Sequence, residues 1–357
     1  MIFAVATHSF LVIIDLDTDW QIQSYKLLNT GYHYGMAMVE RGIGNSVAQQ
    51  NSAQIVIYRG GESVSQQNDP QLVIFEAGNS FDRIGSIPLG GNIGDVHQLA
   101  YANGGIYITN TKYNSLIFQS LETDKRHEYS FESVSQDRNH VNSVYPCGDQ
   151  IVVMLHNLAR QESELAILRH HLAKGFTLEQ RLSLWNLACH NVFFDNDHLL
   201  YNASQALSLV AVDIKKDRVI KRLSFEGHSK GMSVTQDYVV IGLSEHTFRD
   251  KRSTSKGHLV VIDRRSLSPM ATIDLNFPLL PHPIGNINEI RCLSGGELAH
   301  GRSTPLNSHW SSLRLAKRNA FYHHLYQLQT KFLLPARRVK GYFRQGSPSK
   351  RETNVSS

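Results

Sequence analysis

One short pattern recurs six times along the chain, and it limits the possible folds more than any other feature. Each copy consists of a polar or aromatic residue, one spacer residue and the start of an apolar strand. The copies are "YGMAM" at Tyr34, "HQLAY" at His97, "NSVYP" at Asn142, "HNVFF" at His190, "KGMSV" at Lys230 and "NEIRC" at Asn288. Successive copies begin 40 to 63 residues apart, a spacing typical of the blades of a β-propeller.

The residues that follow each copy also form a common pattern. After "HNVFF" come three more apolar runs, "HLLYN", "LSLVAVDI" and "RVIKRLSF", separated by short polar turns. Four short β-rich runs per unit, with Asn, Asp, Gly and Lys between them, predict a four-stranded blade. Helical periodicity, which a helical repeat array would need, is missing from this part of the chain. The sequence therefore predicts an all-β fold.

The number of blades follows from how the two ends of the repeat array fit together. Five complete units lie between residue 31 and about residue 275, and a sixth inner strand stands alone at residues 286–294. The three strands that it lacks are predicted at residues 2–28. Pairing both ends in one blade would close the ring and remove two exposed sheet edges. We therefore expect a six-bladed β-propeller over residues 1–295.

The last 56 residues differ from the rest in composition. From residue 302 onward there are eleven Lys or Arg and one acidic residue, whereas the preceding part holds 25 basic and 30 acidic residues. We expect a linker at 296–306, a basic amphipathic helix at 307–334 and a largely disordered tail at 335–357. The helix would contact a membrane surface or a protein partner, or pack its apolar face on the propeller. Nucleic acid is not an expected partner, because the propeller is acidic and carries no recognition motif.

Cysteine usage and hydropathy bear on location. The three cysteines are far apart in sequence, which argues against a disulfide framework or a zinc knot and favours a reducing compartment. No stretch approaches the ~20 apolar residues needed to cross a bilayer. We expect a cytoplasmic protein, with attachment to a membrane surface through the tail as an alternative.

A propeller brings the strand starts together, because the first strand of every blade lines the central channel. The leading residues of the six copies would meet at one end of that channel, with the residues two positions earlier beside them. This second set is Tyr32, Asp95, His140, Ala188, His228 and Asn286. The exits of the second strands would add His8, Arg59, Asn110, His156, Asn202, Glu245 and His246. The alternative is a water-filled channel whose polar side chains only satisfy backbone groups.

Such a ring of imidazoles and amides predicts a pocket for a polar, sugar-like or carboxylated ligand. The expected ligand-binding residues are Asn142, Asn288, His140, His228, Arg59, Asn202 and His156. Three chemistries are consistent with this set. In a hydrolase, one divalent ion (Zn, Mn or Fe) would be held by His97, His190 and His228 together with Glu245 or Asp95. In a lyase or epimerase, His190 or His97 would act as base, Tyr34 as acid, and Lys230 or Arg59 would neutralise a carboxylate. In a non-catalytic scaffold, long loops would bind protein or glycan.

Units of the type "H/N-x-V…GD…IYV…N…I…ID" resemble six-bladed propellers of the NHL, gluconolactonase–paraoxonase and strictosidine-synthase-like broad class. The strand starts are also similar to those of propellers of unknown function. The resemblance covers about residues 1–295 and implies a Ca²⁺ ion held by a carboxylate and Asn or Asp oxygens. Asn142 and Asn288, with Asp95 or Glu245, would be the matching ligands here. This ring departs from that class in offering mainly His, Asn and Lys.

Overall fold

The computed structural model describes most of the chain up to residue 306. The described residues are 1–31, 33–39, 53–59, 70–78, 80–132, 137–195, 197–245, 247, 249–294, 296–298, 301 and 306. The chain divides into two compact units, Met1–Leu315 and Ala316–Ser357. The predicted helix at 307–334 and the tail at 335–357 lie outside the described residues, as do Tyr32 and His246.

The described residues form twenty-four β-strands. In chain order they are β1 Ile2–Thr7, β2 Phe10–Leu16, β3 Ile22–Thr30, β4 Met36–Val39, β5 Gln54–Arg59, β6 Gln71–Glu76, β7 Arg83–Pro88, β8 Val96–Ala102, β9 Gly105–Asn110, β10 Ser115–Ser120, β11 Arg126–Ser130, β12 Val141–Cys147, β13 Gln150–Leu155, β14 Glu164–His171, β15 Gly175–Ser183, β16 Cys189–Asp195, β17 His198–Ala203, β18 Ser208–Asp213, β19 Arg218–Ser224, β20 His228–Val234, β21 Tyr238–Ser244, β22 Gly257–Asp263, β23 Ser268–Asp274 and β24 Ile287–Cys292. Four short 3-10 turns lie at Thr111–Tyr113, Asn157–Ala159, Ser204–Ala206 and Arg249–Thr254.

These strands form six antiparallel four-stranded sheets, and each sheet is one blade. From the channel outward the blades are β24-β1-β2-β3, β4-β5-β6-β7, β8-β9-β10-β11, β12-β13-β14-β15, β16-β17-β18-β19 and β20-β21-β22-β23. The first blade joins the two ends of the propeller, with Ala4 opposite Arg291 and Val5 opposite Ile290. The predicted six-bladed propeller and its closure are confirmed.

The core lies between neighbouring blades, because each sheet packs one face on the preceding blade and the other face on the following blade. Val12 and Ile14 of β2, for example, belong to one buried cluster with Leu259 and Val261 of β22. The inner and middle strands are therefore nearly continuous apolar runs, as expected for strands buried on both faces. The outermost strands keep exposed polar positions, and β19 is mostly exposed. Each fully buried Val, Leu or Ile contributes roughly 1.5–3 kcal/mol to folding.

A β-bulge interrupts the inner strand of several blades at the end that faces the candidate site. The pairing register shifts between Val96 and Leu99 in β8, between His190 and Val192 in β16 and between Lys230 and Met232 in β20. Similar shifts lie at Asn142 in β12 and opposite Asn288 in β24. A bulge breaks the strict alternation of side chains, so two consecutive residues can face the channel.

The described residues of the predicted linker lie against the opposite end of the channel. The Glu297 carboxylate accepts hydrogen bonds from the backbone N–H of Cys292 at 2.7 Å and from the Ser233 hydroxyl. Leu298 N donates to Val234 O at 2.6 Å, and Leu306 N donates to Gln150 Oε1 at 3.0 Å. Burial raises the pKa of Glu297. These residues pack on the propeller and bridge three of its blades.

Candidate functional site

All six strand-start residues line one cavity on the channel axis. Its walls are formed by these six and by three residues that follow them directly in sequence: Tyr34, His97, Asn142, Ser143, His190, Asn191, Lys230, Asn288 and Glu289. The cavity volume is about 10 Å³, which is room for one water-sized group. The structure thus brings together residues that are up to 255 positions apart in the sequence.

Seven rings form a continuous arc around this end of the channel, and we call them the imidazole arc. In order they are His8, Tyr34, His97, His140, His156, His190 and His228. The centroids of successive rings are 5.5, 4.5, 4.6, 4.7, 4.9 and 5.9 Å apart. The predicted second set and the strand exits therefore supply His8, His140, His156 and His228 to the same site as the strand starts.

The hydrogen bonds of His190 determine which of its ring nitrogens carries the proton. Nδ1 lies 3.1 Å from Ala188 O and 2.7 Å from Ser204 Oγ. The Ser204 hydroxyl donates to Ser229 O of the next blade. Because a carbonyl oxygen can only accept, Nδ1 is the protonated nitrogen and Nε2 keeps its lone pair. His190 therefore presents a hydrogen-bond acceptor to the cavity that it lines.

His97 is held in the same way two blades earlier. Its Nδ1 lies 2.9 Å from Asp95 O and 2.8 Å from Thr111 Oγ1, and the Thr111 hydroxyl donates to Val141 O of the next blade. Asp95 and Ala188 both have positive φ angles, of 50° and 53°, which turn their carbonyl groups toward the imidazoles. The predicted Asp95 thus acts through its backbone, and its carboxylate is not among the groups that line the cavity.

Burial keeps the imidazoles of His8, His33, His97, His156 and His190 neutral near pH 7. Desolvation lowers the pKa of His97, His156 and His190 well below the usual value of 6.5, and neighbouring groups lower it further. The same cause lowers the pKa of His8 to about 3 and that of His33 to about 4. Neutral rings whose Nδ1 is protonated offer lone pairs, not positive charges, to a ligand.

Lys230 is the cation of the cavity wall. Its side chain is 6 % exposed, and Nζ lies 5.4 Å from the centroid of the Tyr34 ring. A second cation acts on the arc, because Arg252 lowers the pKa of His8 and His156. The predicted Arg59 lowers the pKa of His33, a buried histidine outside the arc, and is not in the cavity wall.

The predicted asparagines have mainly structural contacts. Asn142 Nδ2 donates to Cys189 O at 3.0 Å, and Asn288 Nδ2 donates to His33 O at 2.8 Å. Each amide thus joins its inner strand to the next blade. Asn288 Oδ1 is buried without a hydrogen-bond partner among the described residues. Asn202 lies behind the wall, with Nδ2 3.3 Å from Asn191 Oδ1.

Glu289 is the main residue of the site that sequence reasoning missed. It lines the cavity beside Asn288 and is 1 % exposed. Oε2 accepts a hydrogen bond from Gln98 Nε2 at 2.8 Å, and Oε1 lies 3.5 Å from an Arg291 guanidinium nitrogen. Burial raises the pKa of this carboxyl group. Strict alternation would have placed Glu289 on the opposite face from Asn288, but the irregular register allows both to face the channel.

Glu245, a predicted metal ligand, lies apart from the cavity. Its side chain is exposed, and Oε2 accepts a hydrogen bond from the backbone N–H of Lys256 at 2.9 Å. Among the described residues, no three His, Cys, Asp or Glu side chains are close enough to hold one metal ion. The described part of the chain also contains no helix that is long and apolar enough to span a membrane.

The comparisons with known proteins support the fold alone. No protein-family model matches the chain, and no curated protein does. Among solved structures, the chain is similar to one described as "Crystal structure of Nidogen/Laminin Complex", with 11 % identity, a TM-score of 0.52 and coverage of 81 % of this chain and 97 % of that one. It is also similar to a protein of unknown function from Bacteroides caccae, with 12 % identity, a TM-score of 0.53 and coverage of 81 % and 98 %.

Proposed function

We propose that the axial cavity and the imidazole arc bind a small hydroxylated carboxylate, such as a sugar acid. The observation that carries this proposal is one cation, Lys230, sharing a cavity with the acceptor nitrogens of His97 and His190. A carboxylate would pair with the Lys230 ammonium group, and a hydroxyl would donate to a histidine Nε2. Buried in a site of low dielectric constant, both interactions are stronger than they would be in water.

The size of the cavity limits how such a ligand would lie. A volume of about 10 Å³ accepts one water-sized group, so one carboxylate oxygen would enter the cavity and the rest of the ligand would lie among the rings of the arc. Apolar faces of sugar rings pack well on flat aromatic side chains, and the arc supplies seven such rings.

Proton-transfer chemistry is a second candidate function, favoured by the fixed orientation of His97 and His190. An unprotonated Nε2 facing the ligand is where a general base of a lyase or epimerase belongs, with Tyr34 as the acid. The low pKa of both histidines makes them weak bases in the free protein. The alternative is a non-catalytic role, in which the same pocket binds a glycan or a protein. Kinetic assays distinguish the two, because only an enzyme would convert its ligand into a product.

A resident divalent cation does not suit the donors described here. Two neutral imidazoles are suitable ligands, but Glu245 points elsewhere and the Lys230 ammonium would repel a cation in the same cavity. Ca²⁺ would need more carboxylate oxygens than the cavity wall offers. We therefore propose no metal-dependent step, and membership of the gluconolactonase–paraoxonase class remains a prediction from the repeat pattern.

Partners and location remain predictions as well. A cytoplasmic location is consistent with the three cysteines, which are buried and form no disulfide bond among the described residues. Contact of the basic tail with a membrane surface or a protein, and the lack of nucleic-acid binding, depend on residues outside the described part of the chain.

Calorimetric titration with glucuronate and with uncharged glucose tests the proposed function. We expect glucuronate to bind the native protein and the Lys230→Met variant to bind it at least tenfold more weakly. Lys256→Met, which removes an exposed lysine of the same blade, should bind normally. Equal binding of glucuronate by Lys230→Met and the native protein would contradict the proposal, as would equal binding of glucose and glucuronate.

A further inference from the structure

His190 has only one position at which it can accept a further proton. Its Nδ1 proton is held by Ala188 O and Ser204 Oγ, so an added proton must go to Nε2. That nitrogen belongs to a ring that lines the same cavity as the Lys230 ammonium group. Any anion that enters the cavity is therefore placed between a fixed positive charge and an unprotonated imidazole.

We propose that the axial pocket takes up a proton together with its anion, and that His190 Nε2 is the group that accepts it. This inference rests on the proposed function, because it assumes that an anion binds beside Lys230. The protonated ring would then donate a hydrogen bond to the anion through Nε2–H. Atoms and charges balance, since one anion and one proton from solvent enter and no bond of the ligand breaks.

The groups around His190 account for the direction of this effect. The charged or titratable neighbours that act on it are Lys230, His156, His228 and His97, and Glu289 lines the same cavity. Among these neighbours Lys230 has the largest effect in keeping the imidazole neutral. An anion at Lys230 offsets that positive charge and adds an attraction of its own, so the protonated form of His190 becomes more favourable.

His97, which also lines the cavity, and His156 of the arc are less suited to this role. For His97 and His156 the neighbour with the largest effect is His140, not Lys230. His140 itself is paired with the Asp137 carboxylate at 2.6 Å. An anion at Lys230 therefore changes the surroundings of His190 more than those of His97 or His156.

Coupling of the two events predicts how affinity depends on pH. Binding raises the pKa of His190, so the anion binds with proton uptake wherever the pH lies between the free and the bound value. Over that range affinity rises as the pH falls, by up to about tenfold per pH unit for one proton. At a pH above the pKa of His190 in the anion-bound protein, no proton is taken up and the affinity no longer depends on pH for this reason.

Calorimetry with glucuronate in two buffers of different ionisation enthalpy measures the uptake directly. Between pH 5.5 and 7.5 we expect up to one proton per glucuronate bound, with affinity increasing toward the lower pH. His190→Asn keeps a donor in the place of Nδ1 and removes Nε2, so it should bind glucuronate more weakly and without proton uptake. His170→Gln alters a buried histidine outside the arc and should leave the uptake unchanged.

The outcomes separate this proposal from the one on which it rests. Binding of glucuronate that depends on Lys230 but takes up no proton would overturn the coupling and leave the proposed function standing. Uptake that persists in His190→Asn would overturn the assignment to His190. No binding at any pH would overturn both proposals. If His190→Asn fails to fold, nitrogen NMR of the native protein, with and without glucuronate, reports whether a histidine Nε2 becomes protonated.

Discussion

Two sets of buried histidines, one on the axis and one between neighbouring blades, show what separates a candidate site from a structural contact. His190 on the axis is 6 % exposed and His170 between blades is 4 % exposed. His170 uses both ring nitrogens, with Nδ1 2.7 Å from the Tyr107 hydroxyl and Nε2 2.9 Å from His127 Nδ1. Among the described residues, the hydrogen bonds of His190 are made by Nδ1 alone. The two side chains are about equally buried, so they differ in their hydrogen bonding. His190 keeps one ring nitrogen, Nε2, that can accept a hydrogen bond from a ligand, whereas both ring nitrogens of His170 have partners.

The surroundings of the second set support this reading. The His170 ring stacks on Phe176 with centroids 4.4 Å apart, and Asn103 Nδ2 donates to the Tyr107 hydroxyl at 2.8 Å. Polar groups that all have hydrogen-bond partners and are closely packed are typical of a contact in the protein core. The histidines on the axis instead leave nitrogen lone pairs facing a cavity.

Acid should have the largest effect on the protein, because it charges both sets of histidines at once. The pKa of three buried histidines is lowered in the folded state, to about 3 for His8 and to about 4 for His33 and His170. Below the unfolded value of about 6.5 the unfolded chain binds more protons than the folded one. The free energy of unfolding should therefore fall as the pH drops from 6.5 toward 4, by up to about 1.4 kcal/mol per pH unit for each histidine.

Urea unfolding at a series of pH values measures this loss. A midpoint that stays constant between pH 6.5 and 5 would contradict the neutral, buried state of these rings. Bound anion should reduce the slope, because on our proposal the folded protein then binds one more proton.

Removal of His170 should have the next largest effect and act on stability alone. His170→Ala breaks two hydrogen bonds, leaves Tyr107 with fewer partners and opens a cavity beside Phe176. We expect a loss of about 3 kcal/mol in the free energy of unfolding, with glucuronate affinity unchanged. His190→Asn should cost about 1 kcal/mol in stability and remove the proton uptake. A reversal of this order in urea unfolding would contradict the comparison.

The fold and the axial position of the histidines could be predicted from the sequence. The repeat of strand starts was enough to predict six blades, their closure and the meeting of residues such as His97 and His190, because a propeller places equivalent positions on one axis. Four-strand units and polar turns are local signals, and they determine topology when they recur.

The details of the site were not accessible in this way. Glu289 was missed because a β-bulge interrupts the alternation of side chains along the strand. No local residue pattern predicts this bulge. Glu245 was predicted to line the channel, yet its carboxylate binds the backbone of its own hairpin. Asp95 contacts His97 through its backbone carbonyl oxygen, and a backbone contact cannot be predicted from the type of side chain. Side-chain direction at a strand end depends on the register, and register is a property of the assembled sheet.

A smaller effect is expected from the hydroxyl that orients His190. Ser204→Ala removes the acceptor of the Nδ1 proton and the donor to Ser229 O, while Ala188 O still holds Nδ1. We expect about 1 kcal/mol lower stability and glucuronate binding weakened several-fold, since Nε2 is oriented less firmly. Ser266→Ala, which removes an exposed hydroxyl bonded to Asp263, is the matched control. Normal glucuronate affinity in Ser204→Ala would show that the hydroxyl does not orient the ring.

The smallest effect is expected at Glu245, where sequence and structure disagree most clearly. Glu245→Gln keeps an oxygen that can accept the Lys256 N–H, and the side chain is exposed. Exposed substitutions of this kind change stability by less than about 0.5 kcal/mol, and glucuronate affinity should not change because the carboxylate is outside the cavity wall. The metal content of the purified native protein and of this variant, measured by plasma mass spectrometry, should be the same. A metal that is present in the native protein and lost in Glu245→Gln would restore this residue as a ligand, and the axial pocket would then have to be regarded as a cation site.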